Sequence, residues 1–287
     1  MNSSRRVLNL AVLLVLLESS SIRAAEIRLP RHPDYSEGRI AFSYLGDLWL
    51  VNDDGANPRR LTTHAARDSH PRFSPDGKWI AFSSNRYGND DVFVMPASGG
   101  TARRLTFHSA GDVVLGWSRD SQRVLFSSAR GRVYGGIPSL YEVPLNGGPE
   151  TPLPTDWGVY AAYSPDGAKL AFNRHPAPWS RKHYRGSYAA DLWLADLNNK
   201  TFAKLLDADL PDDMKPNNLW PMFGRDGIYF VSDRGVRAKA GSPEVMKSVN
   251  NIWKLTNGSP PVQITQHTSG SLFWPSMSAD GRTIVYE

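Results

Sequence analysis

The chain has no cysteine in 287 residues. Disulfides, cysteine-ligated zinc, iron–sulfur clusters and a cysteine nucleophile are therefore excluded. Charge of one sign is also scarce: 33 Lys and Arg face 28 Asp and Glu, for a net +5. That excess is too small for a nucleic-acid-binding surface. No stretch carries a useful 3.6-residue apolar period, so long helices are not expected. Gly-x-Ser-x-Gly, His-Glu-x-x-His and the phosphate-cradling Gly-x-x-x-x-Gly-Lys-Ser/Thr are all missing. No catalytic residue, metal site or cofactor is expected. Long hydrophobic runs are limited to Val7–Leu17, broken only by Asn9.

That run follows Arg5 and Arg6 and precedes the small residues Ala24 and Ala25. A charged start, a short apolar run and a small-residue cleavage site make residues 1–25 a secretory signal peptide, too short to span a bilayer. Cleavage would take the net charge from +5 to +3. Ser4-Arg5-Arg6 is a weak twin-arginine match. The expected location is periplasmic or secreted, with no membrane attachment after cleavage.

What the sequence has in quantity is punctuation and aromatics: 24 Gly, 21 Pro and 11% Phe, Trp and Tyr. Many short strands joined by tight turns are implied. The strands repeat. Phe73-Ser-Pro-Asp-Gly-Lys-Trp-Ile-Ala-Phe82 recurs as Tyr163-Ser-Pro-Asp-Gly-Ala-Lys-Leu-Ala-Phe172. Weaker copies lie at Trp117–Phe126, Phe223–Phe230 and Met277–Tyr286, and a first one at Tyr35–Phe42. The closing aromatics at 42, 82, 126, 172, 230 and 286 are 40 to 58 residues apart, about the period of a four-stranded propeller blade. The expected fold is an all-β, six-bladed β-propeller over 26–287. Its blades fall near 26–64, 65–108, 109–155, 156–210, 211–267 and 268–287. The sixth is half built, because the sequence stops at Glu287 after its second strand, so the chain reads as the front of a longer protein.

Three stretches carry a family resemblance. Gly46-Asp-Leu-Trp49 with Arg59-Arg-Leu-Thr62, Trp179–Gly186, and Trp220-Pro-Met-Phe223 with Ile228–Arg234 resemble the N-terminal propeller of tricorn-family serine peptidases. TolB and prolyl-oligopeptidase-like proteins carry similar Ser-Pro-Asp-Gly blades, but TolB resembles a propeller preceded by a sizeable α/β domain. The resemblance implies a non-catalytic domain that guides peptides toward or away from peptidase domains lying further along the parent chain. Peptides and those domains are the implied partners, with homo-oligomers formed through the full-length protein. The competing expectation is a free-standing periplasmic TolB-like scaffold.

Candidate site residues follow from strand order. Turn chemistry accounts for Asp76, Asp120, Asp166, Asp226 and Asp280 at one repeat phase. Tyr35, Phe73, Trp117, Tyr163 and Phe223 at one phase, and Trp49, Phe93, Trp193 and Trp253 at another, are expected to fill the space between blades. Gly131–Gly136 is a loop, and Asp53-Asp54-Gly55 a hairpin turn without the remaining calcium ligands. Strands two and four end on one face, where Arg86, Arg130 and Arg234 hold a Ser-x-Arg phase suited to tying blades together. The same face carries two long basic loops. Arg181, Lys182, His183, Arg185, Arg237 and Lys239 are the candidate rim of a peptide-binding funnel, able to attract carboxylates.

Overall fold

The computed structural model describes residues 30–131, 136–176, 181–206, 210–211, 214–236, 240–256 and 258–287. The expected signal peptide, Trp179, Arg237 and Lys239 lie outside the described residues. Among the described residues no helix is long and apolar enough to cross a membrane.

The architecture is an all-β propeller built from five four-stranded antiparallel sheets and one two-stranded sheet. Blade one is β1 (Arg31–Ser36), β2 (Arg39–Tyr44), β3 (Asp47–Asn52) and β4 (Arg59–Arg60). Blade two is β5 (Asp68–Phe73), β6 (Trp79–Ser84), β7 (Asp91–Pro96) and β8 (Arg103–Arg104). Blade three is β9 (Asp112–Trp117), β10 (Arg123–Ser128), β11 (Ser139–Pro144) and β12 (Thr151–Pro152). Blade four is β13 (Tyr160–Tyr163), β14 (Lys169–Asn173), β15 (Leu192–Asp196) and β16 (Thr201–Lys204). Blade five is β17 (Asn218–Phe223), β18 (Ile228–Ser232), β19 (Asn251–Leu255) and β20 (Val262–Gln263). Only β21 (Ser276–Met277) and β22 (Ile284–Val285) follow. The expectation of six blades is thus corrected to five. Among the described residues the last two strands pair with each other, and two backbone bonds between Phe273 and Glu287 prolong that pairing. A four-residue helix, α1 (Pro243–Met246), which the periodicity did not reveal, sits in the β18–β19 loop, capped by Ser242.

Local chemistry explains the turns. Ser74 donates to Asp76 Oδ1 at 2.5 Å, and its Oγ accepts the Trp79 amide at 3.0 Å. Ser118–Asp120, Ser164–Asp166 and Ser278–Asp280 repeat the contact at 2.5–2.6 Å. Gly77 completes its turn at φ +67°, open to glycine without steric strain. These bonds hold the carboxylates ionised: the Ser118 hydroxyl, then the Gln122 amide, keeps Asp120 below the usual range.

Packing runs between blades. Ala41, Leu48 and Leu50 of blade one meet Phe73, Ile80, Phe82 and Phe93 of blade two. The equivalent cluster between blades two and three centres on Trp117 and Phe126, and that between three and four on Tyr163 and Phe172. Phe82, Phe126, Phe172 and Phe230 are fully buried, whereas Tyr286 at the same phase is 38% exposed, since no further strand covers β22.

The Ser-x-Arg arginines tie strands within blades. Arg86 pairs with Asp68 at 2.8 Å and lies over Phe82 and Phe93, 5.5 and 5.1 Å from the ring centres. Arg130 pairs with Asp112 at 2.5 Å between Phe126 and Tyr141, and Arg174 with Asp156 beside Trp157 and Trp193. In blade five Arg234 donates to Asn218, an amide where the others have a carboxylate, at 2.7 Å. Each clamp joins the start of an inner strand, or for Asp156 the residues just before it, to the end of the next, over aromatic faces that add cation–π attraction.

Because Asp112 is fully buried, Asp112→Ala removes the inner partner of the Arg130 guanidinium and leaves it only Glu150, 2.9 Å away on its outer side. We expect a loss of about 1–3 kcal/mol in urea unfolding. Arg282→Ala breaks an exposed pair with Asp280 and should change stability by less than about 1 kcal/mol. Equal effects at the two sites would contradict the clamp.

Candidate functional site

The inner strands β1, β5, β9, β13 and β17 contact one another in succession, β21 contacts β17, and β1 contacts β21. They enclose an axial channel of about 150 Å³. Asp34 is the fixed point of this ring. It accepts from the Phe73 amide at 2.7 Å and from the Ser276 hydroxyl, and it stands 3.7 Å from Arg72. Arg72 donates to the carbonyls of Pro33, Pro71 and Leu115. Burial pushes the Asp34 carboxyl up, and Arg72, then Ser276, oppose it.

A group of rings that the sequence had not singled out gathers at the start of the inner strands. Their signal is a dipeptide at one repeat position: His32-Pro33, His70-Pro71, Trp220-Pro221 and Trp274-Pro275, each first residue three before Tyr35, Phe73, Phe223 or Met277. The first residue of each pair has positive φ, at +53°, +53°, +52° and +47°. For the first three, the strand register shifts there, between Arg31 and Asp34, Ser69 and Arg72, and Leu219 and Met222. The bulge turns a side chain that would alternate with its neighbours toward the axis. His32 and His70 are 3.7 Å apart, and Trp274 lies edge-on to both at 4.8 and 4.9 Å. Trp220 and Tyr160 complete the cluster, 5.7 and 5.8 Å from Trp274 and 5.2 Å from each other. Blade three has no such pair; Val114, Leu115, Gly116 and Trp117 of β9 form its part of the wall.

The cluster is hostile to charge. Burial first, then Arg72, Arg31 and Arg67, lowers the His32 pKa to about 3. Burial, then His32 and the same Arg72 and Arg67, holds His70 well below its usual value. Burial alone pushes the Tyr160 hydroxyl up to about 12.

The expected rim residues have separate fates. Arg181 is exposed, its guanidinium 4.6 Å over the Tyr184 ring, while its carbonyl accepts from Asn217. Lys182 is partly buried and donates to Asn250 at 3.2 Å. His183 is buried: its amide donates to Asp233 at 2.8 Å and its ring lies 3.1 Å from the Asp233 carbonyl. Arg185 makes two 3.1 Å bonds to Asp191, which also pairs with Lys204 at 2.8 Å. The segment from 181 to 185 is thus pinned across blades four and five. Of the second phase, Phe93 and Trp193 enter the inter-blade clusters, and Phe93, Trp193 and Trp253 also carry clamp arginines over their rings. Of the first phase, Phe73, Trp117 and Tyr163 enter the inter-blade clusters, and all five also border the channel.

Residues 27–287 match the family described as the tricorn protease N-terminal beta propeller domain. The chain is 33% identical over 250 residues to tricorn protease homolog 1 of Streptomyces coelicolor, covering 86% of this chain and 22% of the relative. The crystal structure of the tricorn protease superposes with a TM-score of 0.72 at 21% identity, over 91% of this chain and 24% of that one. A putative TolB from Agrobacterium tumefaciens superposes with a TM-score of 0.66 at 20% identity, over 90% of both chains. The two structural likenesses show the fold alone. The chain spans about a fifth of the length of the curated relative.

The channel imidazoles set a pH dependence. Their folded pKa values lie below the unfolded 6.5, so below pH 6.5 the unfolded chain binds more protons. Stability is therefore full above pH 6.5 and falls on acidification, toward about pH 3 for His32. The limiting slope is about 1.4 kcal/mol per pH unit for each imidazole. Between pH 6.5 and 4.5, His32→Gln with His70→Gln should flatten the fall in urea midpoint. An unchanged slope would show that neither ring is held neutral.

Proposed function

The chain belongs to the family of tricorn protease N-terminal β-propeller domains, and on that footing we propose that it is the non-catalytic guide propeller of a longer, exported serine peptidase, handling peptides at its axial channel. The observation that carries this reading is the channel itself, ringed by an inner strand from every sheet. Its mouth at the start of those strands shares a face with the β14–β15 and β18–β19 loops. Export is read from residues 1–25, and the blade limits 26–64 through 268–287 belong to the same proposal. The pair β21–β22 is the inner half of a sixth blade in this reading. Its place between β17 and β1 supports that, as does the Ser278–Asp280 turn shared with the complete blades.

The rim proposal narrows to the charge that packing leaves exposed. Among the described residues Arg181 supplies it; Arg237 and Lys239 stay in the proposed rim on their sequence position alone. Lys182, His183 and Arg185 hold the loop in place through Asn250, Asp233 and Asp191. Peptides and the downstream peptidase domains are the partners, and any homo-oligomer forms through the full-length protein. No cofactor is invoked. The free-standing TolB-like scaffold is favoured by one observation, the 90% mutual coverage with the putative TolB. That likeness concerns fold, whereas the 33% identity over 86% of the chain is to a tricorn homolog, so the peptidase reading leads.

Exposed charges steer encounter more than they hold a ligand. In the full-length protein, Arg181→Glu should slow association of acidic peptides several-fold at low salt and flatten its salt dependence, leaving neutral peptides unchanged. Stopped-flow fluorescence would measure it. Equal slowing of neutral peptides, or no slowing at all, would remove the rim. The isolated chain should cleave no peptide; cleavage abolished by a substitution within 26–287 would overturn the non-catalytic assignment.

A further inference from the structure

We propose that the axial channel binds a carboxylate at the end where the Ser-x-Asp turns lie, and that Arg119 is the group that recognises it. The proposal rests on the peptide-handling reading for the source of its ligand and on the charges of the channel wall for its chemistry.

The turns themselves single out this residue. Four of them share the Ser-x-Asp pattern, with Pro75, Arg119, Pro165 and Ala279 at the middle position. The Gly77 amide donates to the Ser74 carbonyl at 2.8 Å, and the Ser121 amide to the Ser118 carbonyl at 3.0 Å, so the middle residue is second in a β-turn. Proline suits that place because its ring presets φ. Arginine supplies nothing that the turn uses.

Its side chain goes elsewhere. The stem runs past Gly167 in the blade-four turn, and the guanidinium donates to the Ala279 carbonyl at 3.1 Å, 160 positions away in the last sheet. In the ring of inner strands β9 and β21 stand opposite one another, so this reach crosses the end of the channel. Arg119 and Ala279 are both exposed there.

Charge decides the ligand. Of the residues bordering the channel, Asp34, Arg72 and Arg119 carry charge, since His70 is held neutral. Asp34 and Arg72 stand 3.7 Å apart and cancel, and Arg72 also serves three carbonyls. Among the described residues Arg119 forms no ion pair, so the wall carries one net positive charge, at the turn end. Asp76, Asp120, Asp166 and Asp280 stand outside that wall, each bound by a serine hydroxyl. Glu37 and Arg225, exposed in the turns of blades one and five, offset each other. Salt screens these outer charges over about 8 Å, whereas Arg119 meets a ligand directly.

Exchange of partners favours a carboxylate. A guanidinium presents five N–H donors in a fork, and the Ala279 carbonyl occupies one. A carboxylate takes two in parallel, through charge-assisted bonds about twice as strong as neutral ones. Because Ala279 is exposed, water replaces the bond that its carbonyl gives up. Room is available: the channel holds about 150 Å³, against roughly 10–15 Å³ for one water.

The test titrates the 287-residue chain with three probes. Acetyl-Ala-Ala carries a free C-terminal carboxylate, acetyl-Glu-amide a side-chain one, and acetyl-Ala-Ala-amide none. Arginine Nε–H resonances report binding, and the Arg119 signal is identified by its loss in Arg119→Gln or Arg119→Lys. The expected result is saturable binding of a carboxylate probe that shifts this signal and weakens with added salt, with the uncharged amide about tenfold weaker or more. Arg119→Gln should weaken the carboxylate probe by about the same factor and leave the amide unchanged. Arg119→Lys keeps the charge without the fork and should lie between. Arg282→Gln alters an exposed turn arginine that does not border the channel, and should change nothing. If Arg119→Gln fails to fold, the wild-type resonances and the amide comparison still decide. Tighter binding of acetyl-Ala-Ala assigns the site to peptide C-termini, and tighter binding of acetyl-Glu-amide to acidic side chains. Equal binding of the amide, full binding by Arg119→Gln, or shifts that bypass Arg119 would overturn the proposal and leave peptide handling standing. No binding of any probe at any concentration would overturn both.

Discussion

Everything in this molecule depends on closing a ring of strands whose first and last members are far apart in sequence. Asp34 does this at the centre. Its carboxylate joins the Phe73 amide of blade two and the Ser276 hydroxyl of the last sheet, 242 positions away, while Arg72 stands beside it. At the periphery, Arg31 and the His32 amide reach Glu287 at 2.8 and 2.7 Å. Each sheet buries its faces only against its neighbours, so a propeller that does not close leaves two apolar faces in water. The contacts of Asp34 are buried, and a buried carboxylate is tolerated only when its oxygens are occupied. The residue therefore specifies closure as well as stabilising it.

The same logic governs the arginines. A basic face invites a functional reading, yet in blades two to five the guanidinium at the Ser-x-Arg phase, or in blade four at the matching position Arg174, is committed to an aspartate or asparagine and laid over rings. A second set ties the outer strand: Arg60 to Asp47, Arg104 to Asp91 and Lys204 to Asp191. Thr62, Thr106 and Thr265 accept amides at 2.9 Å beside these positions. Short outer strands of two to four residues have few ladder bonds, and these side-chain ties supply what the ladder lacks. The charge left for a ligand is much smaller than the composition suggests.

Legibility followed distance in the chain. Ser74–Asp76 turns and the closing aromatics were readable because their causes lie within ten residues. The clamp arginines were half readable: their phase was visible, while the aspartates lie 18 residues upstream, at the start of an inner strand for Asp68 and Asp112 and four residues before one for Asp156. The rim was least readable. His183 looked like a surface charge and is buried because Asp233, 50 residues on, receives its amide. Nothing local to residues 181–185 announces Asp233 or Asn250. The blade count was set too high because the repeat continues to Tyr286, whereas the described residues after β20 form only the two-stranded β21–β22 sheet.

The ring cluster was missed for a different reason, since its signal was present as four His-Pro or Trp-Pro pairs at one phase. Proline ordinarily marks an edge or a break in a strand, and the residue before it is pushed toward extended backbone. Here the preceding residue takes a left-handed conformation, and the proline, which has no amide hydrogen, leaves no unmet donor at the bulge. One dipeptide thus interrupts the ladder, spares the backbone a penalty and directs a large side chain to the axis. Ring closure does not require the dipeptide, since blades three and four line the channel without it, through Val114–Trp117 and Tyr160–Tyr163. Four strained positions that two of the blades do without therefore serve to place rings on the axis more than to close the ring.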